Sequence, residues 1–510
     1  MKRKHALKTK LLCLCLGSLF ACSMALSACG KIDPDKDPEK PPIVDPNPPK
    51  PVDPDPPKPE EPFTVSYREG YEPTKFNKTV TNEITKLTDG AHVVANSVTL
   101  KNGHVAVVYA VEVDLSKVDV VAGTKDNKSS DFTFQKAVPY AHAQAWEKAT
   151  GGHVYASINA DFFGSQCVNA FVKDGVIVKT GHNDNGNYDY KNSASDVPAS
   201  APMLFGVKGD IAQIAPIVNY EGDVTTPAVK EKIVKSTLSY QFVAQGKEGG
   251  VAISMNVAPS RTAVAFNTTR TTTISNGVVL KVDTTGGYSD MKVLEKSVVT
   301  SSTKFSPETG VGYVIANKTN ATGFATLNAV EKDGIVSVAV KSEDGLWNGY
   351  TTILGCRQAL VLDDEIPATV KLENTNGAQA TDIPRSAVGI KPNGNVVIFG
   401  VEAMRYYGFS EAESDSYGLN LPELAEFIYY YGCTQAANFD GGGSTQIVTR
   451  ADDETEGKVI LRSADKLKKL ENGTFVTCSK QECNITNADR LHTAATRPVM
   501  NSLLVVSKKK

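Results

Sequence analysis

The chain has 510 residues, 41% apolar and 22% charged, with 54 Lys+Arg against 57 Asp+Glu. At roughly 150 residues per domain, that length suits two to four domains. The composition excludes a wholly disordered chain, a collagen-like chain and a multi-span membrane protein. A net charge of −3 lacks the basic surplus of a nucleic-acid binder, so no nucleic-acid partner is expected.

Residues 1–28 read as an export signal. Lys2, Arg3, Lys4, Lys8 and Lys10 form a basic start, and Leu11 to Leu26 is mostly apolar. This run is shorter than the roughly 20 residues a helix needs to span a bilayer core. Leu26-Ser27-Ala28-Cys29-Gly30 resembles a bacterial lipobox, which would make Cys29 the lipidated N-terminus. The other reading is an ordinary cleaved signal with an incidental cysteine. Acylation at Cys29 would hold the protein at the membrane, outside the cytoplasm. Removing residues 1–28 leaves 49 Lys+Arg against 57 Asp+Glu, a net charge of −8.

Residues 29–62 read as a disordered linker. Residues 31–62 hold 13 of the 26 prolines, mixed with Asp, Glu and Lys. Such a segment cannot bury a core and favours extended polyproline II. At about 3.1 Å per residue its reach is on the order of 100 Å.

Cys167, Cys356, Cys433, Cys478 and Cys483 remain after Cys29. An odd set is not a disulfide framework. Cys478 and Cys483 are close enough in sequence to staple one loop. No CxxC or Cys/His spacing suggests zinc.

Residues 63–91 are polar and weakly patterned, a lead-in to a body over 92–510. Val105 to Val113 and Val118 to Ala122 are rich in β-branched residues and read as strands. Phe134 to Lys148 reads as a helix, with Ala137, Val138, Ala141 and Ala145 on one face and Pro139 interrupting its first turn. Val154 to Ala160 is a strand. Val168 to Lys179 is a hairpin turning at Asp174-Gly175. Residues 181–200 read as a polar loop, and 210–300 as strands with insertions. Ala387 to Ile390 and Val396 to Val401 flank a Pro392-Asn393-Gly394 turn. Leu421 to Tyr431 reads as a helix capped by Asn420 with Glu423 completing a capping box. Thr434 to Phe439, Gln446 to Arg450 and Arg497 to Ser507 read as strands. Short strands outnumber helices without regular βαβ alternation. The expected fold class is therefore α+β, with largely antiparallel β-sheets and a few packed helices.

Three segments carry candidate chemistry. In Asn438-Phe439-Asp440-Gly441-Gly442-Gly443-Ser444-Thr445, three glycines let the backbone turn sharply and a ligand approach. Their N–H groups can converge on an anion, Asp440 sits at a strand end, and Ser444 and Thr445 add hydroxyls. The blander reading is a tight hairpin. In Ser157-Ile158-Asn159-Ala160-Asp161-Phe162-Phe163-Gly164, another apolar strand ends in Asn-x-Asp, with Asn159 and Asp161 on one side. Two such ends brought together offer two carboxylates and two amides. That set suits acid/base work on a glycosidic bond, and equally an oxygen-rich Ca²⁺ site; Asx turns that simply end strands are the third reading. In Pro384-Arg385-Ser386-Ala387-Val388-Gly389, an Arg stands before an apolar strand and can fork onto phosphate. Arg497-Pro498-Val499-Met500-Asn501 repeats the pattern, and Glu402, closing the strand after Arg385, is a third carboxylate. His182, in the polar loop, is either a general acid or base or a surface histidine.

Taken together, these segments resemble the phosphodiester glycosidase family. The resemblance is carried by Tyr109 to Ala122, the INADFF run at 158–163, Gly355 to Val361, RSAVGIKPNG at 385–394, LPELAEF at 421–427, NFDGGGST at 438–445 and RPVMNSLLVV at 497–506. They cover roughly 92–508, while 181–250 and 262–350 match poorly. Ser386 stands where the family pattern has Thr, and Cys356 and Arg357 depart from it. The resemblance implies hydrolysis of a sugar-1-phosphodiester, such as a GlcNAc-1-phosphodiester, to free sugar and phosphomonoester. It implies Asp440 or Asp161 as the catalytic carboxylate, with Glu402 in reserve. Arg385 would hold a phosphate oxygen, supported by the Gly442 and Gly443 N–H groups. Asn159 and Asn438 would orient sugar hydroxyls or a carboxylate, with Gly441, Ser444, Thr445, Arg497 and Asn501 lining the site. No cofactor is required by the sequence, and Ca²⁺ is the ion it allows. A non-catalytic glycan- or anion-binding lipoprotein on the same fold is the alternative, and a Ca²⁺-stabilised adhesin the third reading.

Overall fold

The computed structural model describes residues 63–508, apart from 79, 130–133, 182–202, 217, 221–232, 236–237, 248–249, 343–344, 368–369, 371–382, 404–415, 464–467, 478–485 and 493–494. His182, Cys29, Cys478 and Cys483 lie outside the described residues. The fold is α+β, built mostly from antiparallel sheets. No helix among the described residues is long and apolar enough to cross a membrane.

A seven-stranded antiparallel sheet runs in the order Thr81–Thr88, Ala91–Thr99, Val105–Val113, Val396–Glu402, Arg385–Ile390, Gln435–Asn438, Ala359–Val361. Its central strands read as continuous apolar runs because both faces are covered. One face packs the helix Leu421–Tyr430 through Leu424, Phe427 and Ile428. The other face contributes Val111, Val388, Ile398 and Phe439 to the main core. A five-stranded sheet, Lys458–Leu461, Ile447–Thr449, Val154–Asn159, Ser502–Ser507, Val118–Gly123, closes that core from one side. A second five-stranded sheet adds Phe171, Phe205 and Leu354 to it, in the order Val176–Lys179, Phe171–Lys173, Thr352–Gly355, Met203–Lys208, Ile211–Pro216.

Local chemistry sets several boundaries. The hairpin after Phe171 turns at Asp174 and Gly175, both left-handed at φ 52° and 75°, as a two-residue hairpin turn requires. Asn420 and Glu423 form both bonds of a capping box. The first helix spans Pro139–Thr150 rather than starting at Phe134. Val138 is extended at φ −71°, ψ 151°, as the residue before proline prefers, and proline suits the first helical position.

Residues 63–91, read from the sequence as a lead-in, join the core. Thr81–Thr88 pairs with Ala91–Thr99, and Phe76 is fully buried. The Glu426 carboxylate accepts from Tyr71 Oη at 2.9 Å, Thr74 N at 2.8 Å, Thr74 Oγ1 at 2.8 Å and Lys75 N at 2.7 Å. Tyr67 stacks on Tyr430 at 4.8 Å, and Arg68 lies 3.8 Å from the Tyr429 ring centroid.

Residues 239–341 hold the largest feature the sequence did not announce. Ser239–Ala244, Val251–Met255, Val264–Asn267, Val311–Asn317, Gly277–Asp283, Met291–Val299 and Ile335–Lys341 close into a barrel around Phe242, Phe266, Leu280 and Val314. The barrel is inserted between Ile211–Pro216 and Thr352–Gly355, and both of those strands flank Met203–Lys208.

Candidate active site

Two strand ends from different sheets meet. Val154–Asn159 runs out toward Asp161, and Gln435–Asn438 runs out toward Asp440. Asp440 N donates to the Ala160 carbonyl at 2.9 Å. Asn159 Nδ2 donates to the Asp440 carbonyl at 2.6 Å, while its Oδ1 accepts from Ser386 Oγ at 2.8 Å and from Gln446 N at 3.3 Å. The Ser386 hydroxyl also lies 3.2 Å from Thr445 Oγ1. Asn159, Ser386 and Thr445 are therefore engaged with one another and with backbone, and all three are buried.

The glycine segment is not a hairpin. Gln435–Asn438 belongs to the seven-stranded sheet and Ile447–Thr449 to a five-stranded one, so residues 439–446 carry the chain from sheet to sheet. Gly442–Ser444 form one 3₁₀ turn, with Gly442 left-handed at φ 61°. A Cβ on Gly441 would stand 2.9 Å from the Pro384 carbonyl oxygen. The Gly442 N–H, expected to face an anion, donates instead to the Pro384 carbonyl at 2.8 Å. The sharp crossing needs that bond to fix its entry against the strand starting at Arg385.

Asp161 is 1% exposed. Its Oδ1 accepts from Asn169 Nδ2 at 2.8 Å and its Oδ2 from Asn169 N at 3.0 Å. Its own N–H donates to Asn501 Oδ1 at 3.1 Å, and Asn501 Nδ2 reaches Cys167 Sγ at 3.2 Å. Burial pushes the Asp161 carboxyl up to about 7. The Asn169 bonds and the Lys179 charge pull against that, and the Asp440 charge adds to it. Gly355 packs directly on this carboxyl: a Cβ there would stand 2.6 Å from Asp161 Cγ and Oδ1.

Asp440 is partly exposed. Burial of its carboxyl pushes it up to about 6, opposed by the Ser444 hydroxyl, the Arg497 charge, the Gly441 N–H and the Arg357 charge. Arg497 Nη1 donates to Ser444 Oγ at 3.4 Å, and the Arg357 guanidinium sits 5.2 Å from the Phe162 ring centroid. Arg357, Arg497, Phe162, Gly441 and Gly442 are partly exposed with Asp440.

Of the other candidates, Arg385, Asn438, Gly443 and Ser444 are buried. Arg385 is 4% exposed, and its Nε donates to the Leu419 carbonyl at 3.2 Å. Its Cδ lies 3.9 Å from where a Cβ on Gly441 would stand, so the Arg385 side chain runs beside the glycine crossing that carries Asp440. Asn438 is buried with Nδ2 on Gln358 Oε1 at 3.3 Å. Glu402 acts on Tyr109, whose phenol burial and that carboxylate together push up to about 12. Asn169, Lys179 and Gln358 were not singled out from the sequence. Asn169 alone interrupts an apolar run, Lys179 ends a strand and Gln358 follows Arg357, so only their long-range partners give them meaning. Among the described residues no three His, Cys, Asp or Glu side chains gather as metal ligands.

A model of the phosphodiester glycosidase family matches residues 270–506.

The family match takes in Arg357, Arg385, Glu402, the glycine crossing, Arg497 and Asn501. Asn159 and Asp161 lie before it, and the family match runs through 270–350, where the sequence resemblance was weak. No protein of curated function matches the chain. Among solved structures, a hypothetical protein from Synechocystis is 13% identical with a TM-score of 0.40, over 84% of this chain and 64% of that one. The chain thus spans less than two thirds of that protein's length. The zebrafish N-acetylglucosamine-1-phosphodiester alpha-N-acetylglucosaminidase catalytic domain, auto-inhibited by its pro-peptide, is 13% identical with a TM-score of 0.34, over 88% of this chain and 87% of that one. Likeness at this level speaks to neither activity nor substrate.

Proposed function

We propose that this chain hydrolyses a sugar-1-phosphodiester to free sugar and phosphomonoester. The observation that carries this reading is Asp440. It is a partly exposed residue on a backbone crossing whose carboxyl is largely buried, with two guanidinium groups acting on it and a second, buried carboxyl that feels its charge. The family match over residues 270–506 supports the same reaction class.

The chemistry follows from those groups. A departing phosphomonoester has a second pKa near 6, so it leaves with little protonation. Arg357 and Arg497 offset its charge. Asp440, ionised, acts at the sugar carbon or on the attacking water. Asp161, protonated, keeps a second negative charge away from an anionic substrate. Asn159, Ser386 and Thr445 hold the two strand ends in register.

The same reading puts the enzyme outside the cytoplasm. It is anchored through a lipid on Cys29, with residues 31–62 as the spacer and a surface or host glycan as substrate. Free GlcNAc release from a GlcNAc-α-1-phosphodiester by the purified chain, with Asp440→Asn beside it, tests the reaction. Release by wild type alone supports the proposal. Glycan binding without turnover across a panel of sugar-1-phosphodiesters replaces it with the binding-protein reading.

A further inference from the structure

We infer that Asn169 is a positioning residue that fixes the Asp161 carboxyl and sets when it holds its proton. The inference rests on the proposed reaction for its catalytic consequence, and on geometry alone for the interaction itself.

Asn169 is completely buried, eight residues beyond Asp161. It meets the carboxyl with two donors at once: its backbone N–H on Oδ2 at 3.0 Å and its Nδ2 on Oδ1 at 2.8 Å. The second hydrogen of Nδ2 goes to the Cys356 carbonyl at 3.0 Å. That third bond fixes the amide's orientation, because an Nδ2 donating to both Asp161 and Cys356 leaves no room for the flipped rotamer. The site offers the carboxyl little other freedom. Gly355 lies against it with space for no side-chain carbon, and the same Cβ would stand 2.3 Å from Asn169 Cβ. Asp161 and Asn169 are thus gripped between the end of one sheet and the strand Thr352–Gly355 of another.

Two N–H donors on a carboxyl favour its ionised form. Burial and the neighbouring Asp440 favour the neutral form, and Lys179 favours the ionised one. The remaining ionisable neighbours are the Cys167 and Cys356 thiols, which burial pushes well up, so they stay uncharged through neutral pH. Among the described residues, the Asn169 amide is the uncharged side chain that weighs against burial at Asp161, and it does so without adding charge to a site meant for an anion.

The test compares wild type with Asn169→Ala and Asn169→Asp, both checked for folding by circular dichroism and melting. Asp161 titration is read directly by carboxyl ¹³C NMR on the full chain, assigned with Asp161→Asn. Loss of the side-chain donor in Asn169→Ala should raise the Asp161 midpoint by about one pH unit. In GlcNAc release from a GlcNAc-α-1-phosphodiester, the alkaline limb of kcat should move up with it. Asn169→Asp should cut turnover at neutral pH and recover as the new carboxyl protonates. An Asp161 midpoint that stays in place in a folded Asn169→Ala protein overturns the inference. A moved midpoint in a protein that releases no sugar from a panel of sugar-1-phosphodiesters supports the positioning role and removes the proposed reaction.

Discussion

Ser386 Oγ and Asn159 Oδ1, 227 positions apart in sequence, lie 2.8 Å from each other and join two different sheets. Through Asn159 Nδ2 the same bond reaches the Asp440 carbonyl. One short hydroxyl therefore braces the backbone that presents the Asp440 carboxyl. Ser386→Ala leaves Asn159 Oδ1 with Gln446 N alone and should cost about 1–3 kcal/mol. Urea unfolding measures it. A midpoint unchanged from wild type would show the sheets held together without this bond.

Asp440→Asn should abolish sugar release in a folded protein, with melting unchanged at pH 4 and raised at pH 8, where the wild-type carboxyl is charged. Asparagine keeps the shape but supplies no carboxylate. Near-normal turnover would remove Asp440 from the chemistry.

The pH profile of kcat should be bell-shaped and narrow. Asp440 must ionise, with its midpoint near 6, and Asp161 must stay protonated, with its midpoint near 7. The two carboxyls act on each other, so the limbs belong to the pair. Stability carries the opposite sign to a salt-bridged carboxylate. Both midpoints are raised above the unfolded value, so the folded state binds the extra protons. Their stabilising contribution is full below pH ~4 and is lost as pH rises through 6 to 7. Melting temperature should fall over that range in wild type and less steeply in Asp161→Asn.

Arg357→Gln and Arg497→Gln should each raise KM for a phosphodiester roughly tenfold, the scale of one charged hydrogen bond. Each should also move the acid limb to higher pH, because both cations pull the Asp440 carboxyl down. Inorganic phosphate should inhibit wild type more than either variant. An acid limb unmoved in both variants would detach these guanidinium groups from Asp440.

Gly355→Ala forces a carbon against the Asp161 carboxyl and the Asn169 side chain. Overpacking of this kind costs about 1–3 kcal/mol. Turnover should fall further than stability, because the displaced group is Asp161. Equal activity at equal concentration of folded protein would refute that.

Local rules made some of this legible in the sequence. The Asn420–Glu423 cap and the Asp174–Gly175 turn each depend on neighbours within four residues, and both formed as expected. The two Asn-x-Asp strand ends were legible as a pair, because an apolar run ending in polar residues has few other uses. Other features had no local signal. The seven barrel strands look like any short apolar strands, and closure depends on pairings as distant as Ser239 with Lys341. Asn169 looks like any asparagine in an apolar stretch until Asp161 is placed beside it. The glycine run announced a turn but not its destination, since a hairpin and a sheet-to-sheet crossing need the same permissive backbone.

Glu426 ties residues 71–75 to the helix Leu421–Tyr430 by four hydrogen bonds. Seen mechanically, this is a strain relief. A pull arriving at Phe63 would first load the Tyr67–Tyr430 stack, the Arg68 contact with Tyr429 and the Glu426 bonds. That helix covers one face of the seven-stranded sheet, while Ser386 and Phe439 look out from the other. Tension on the chain would thus be absorbed behind the sheet, and the geometry around Asp440 would stay the same whether the protein is slack or under load.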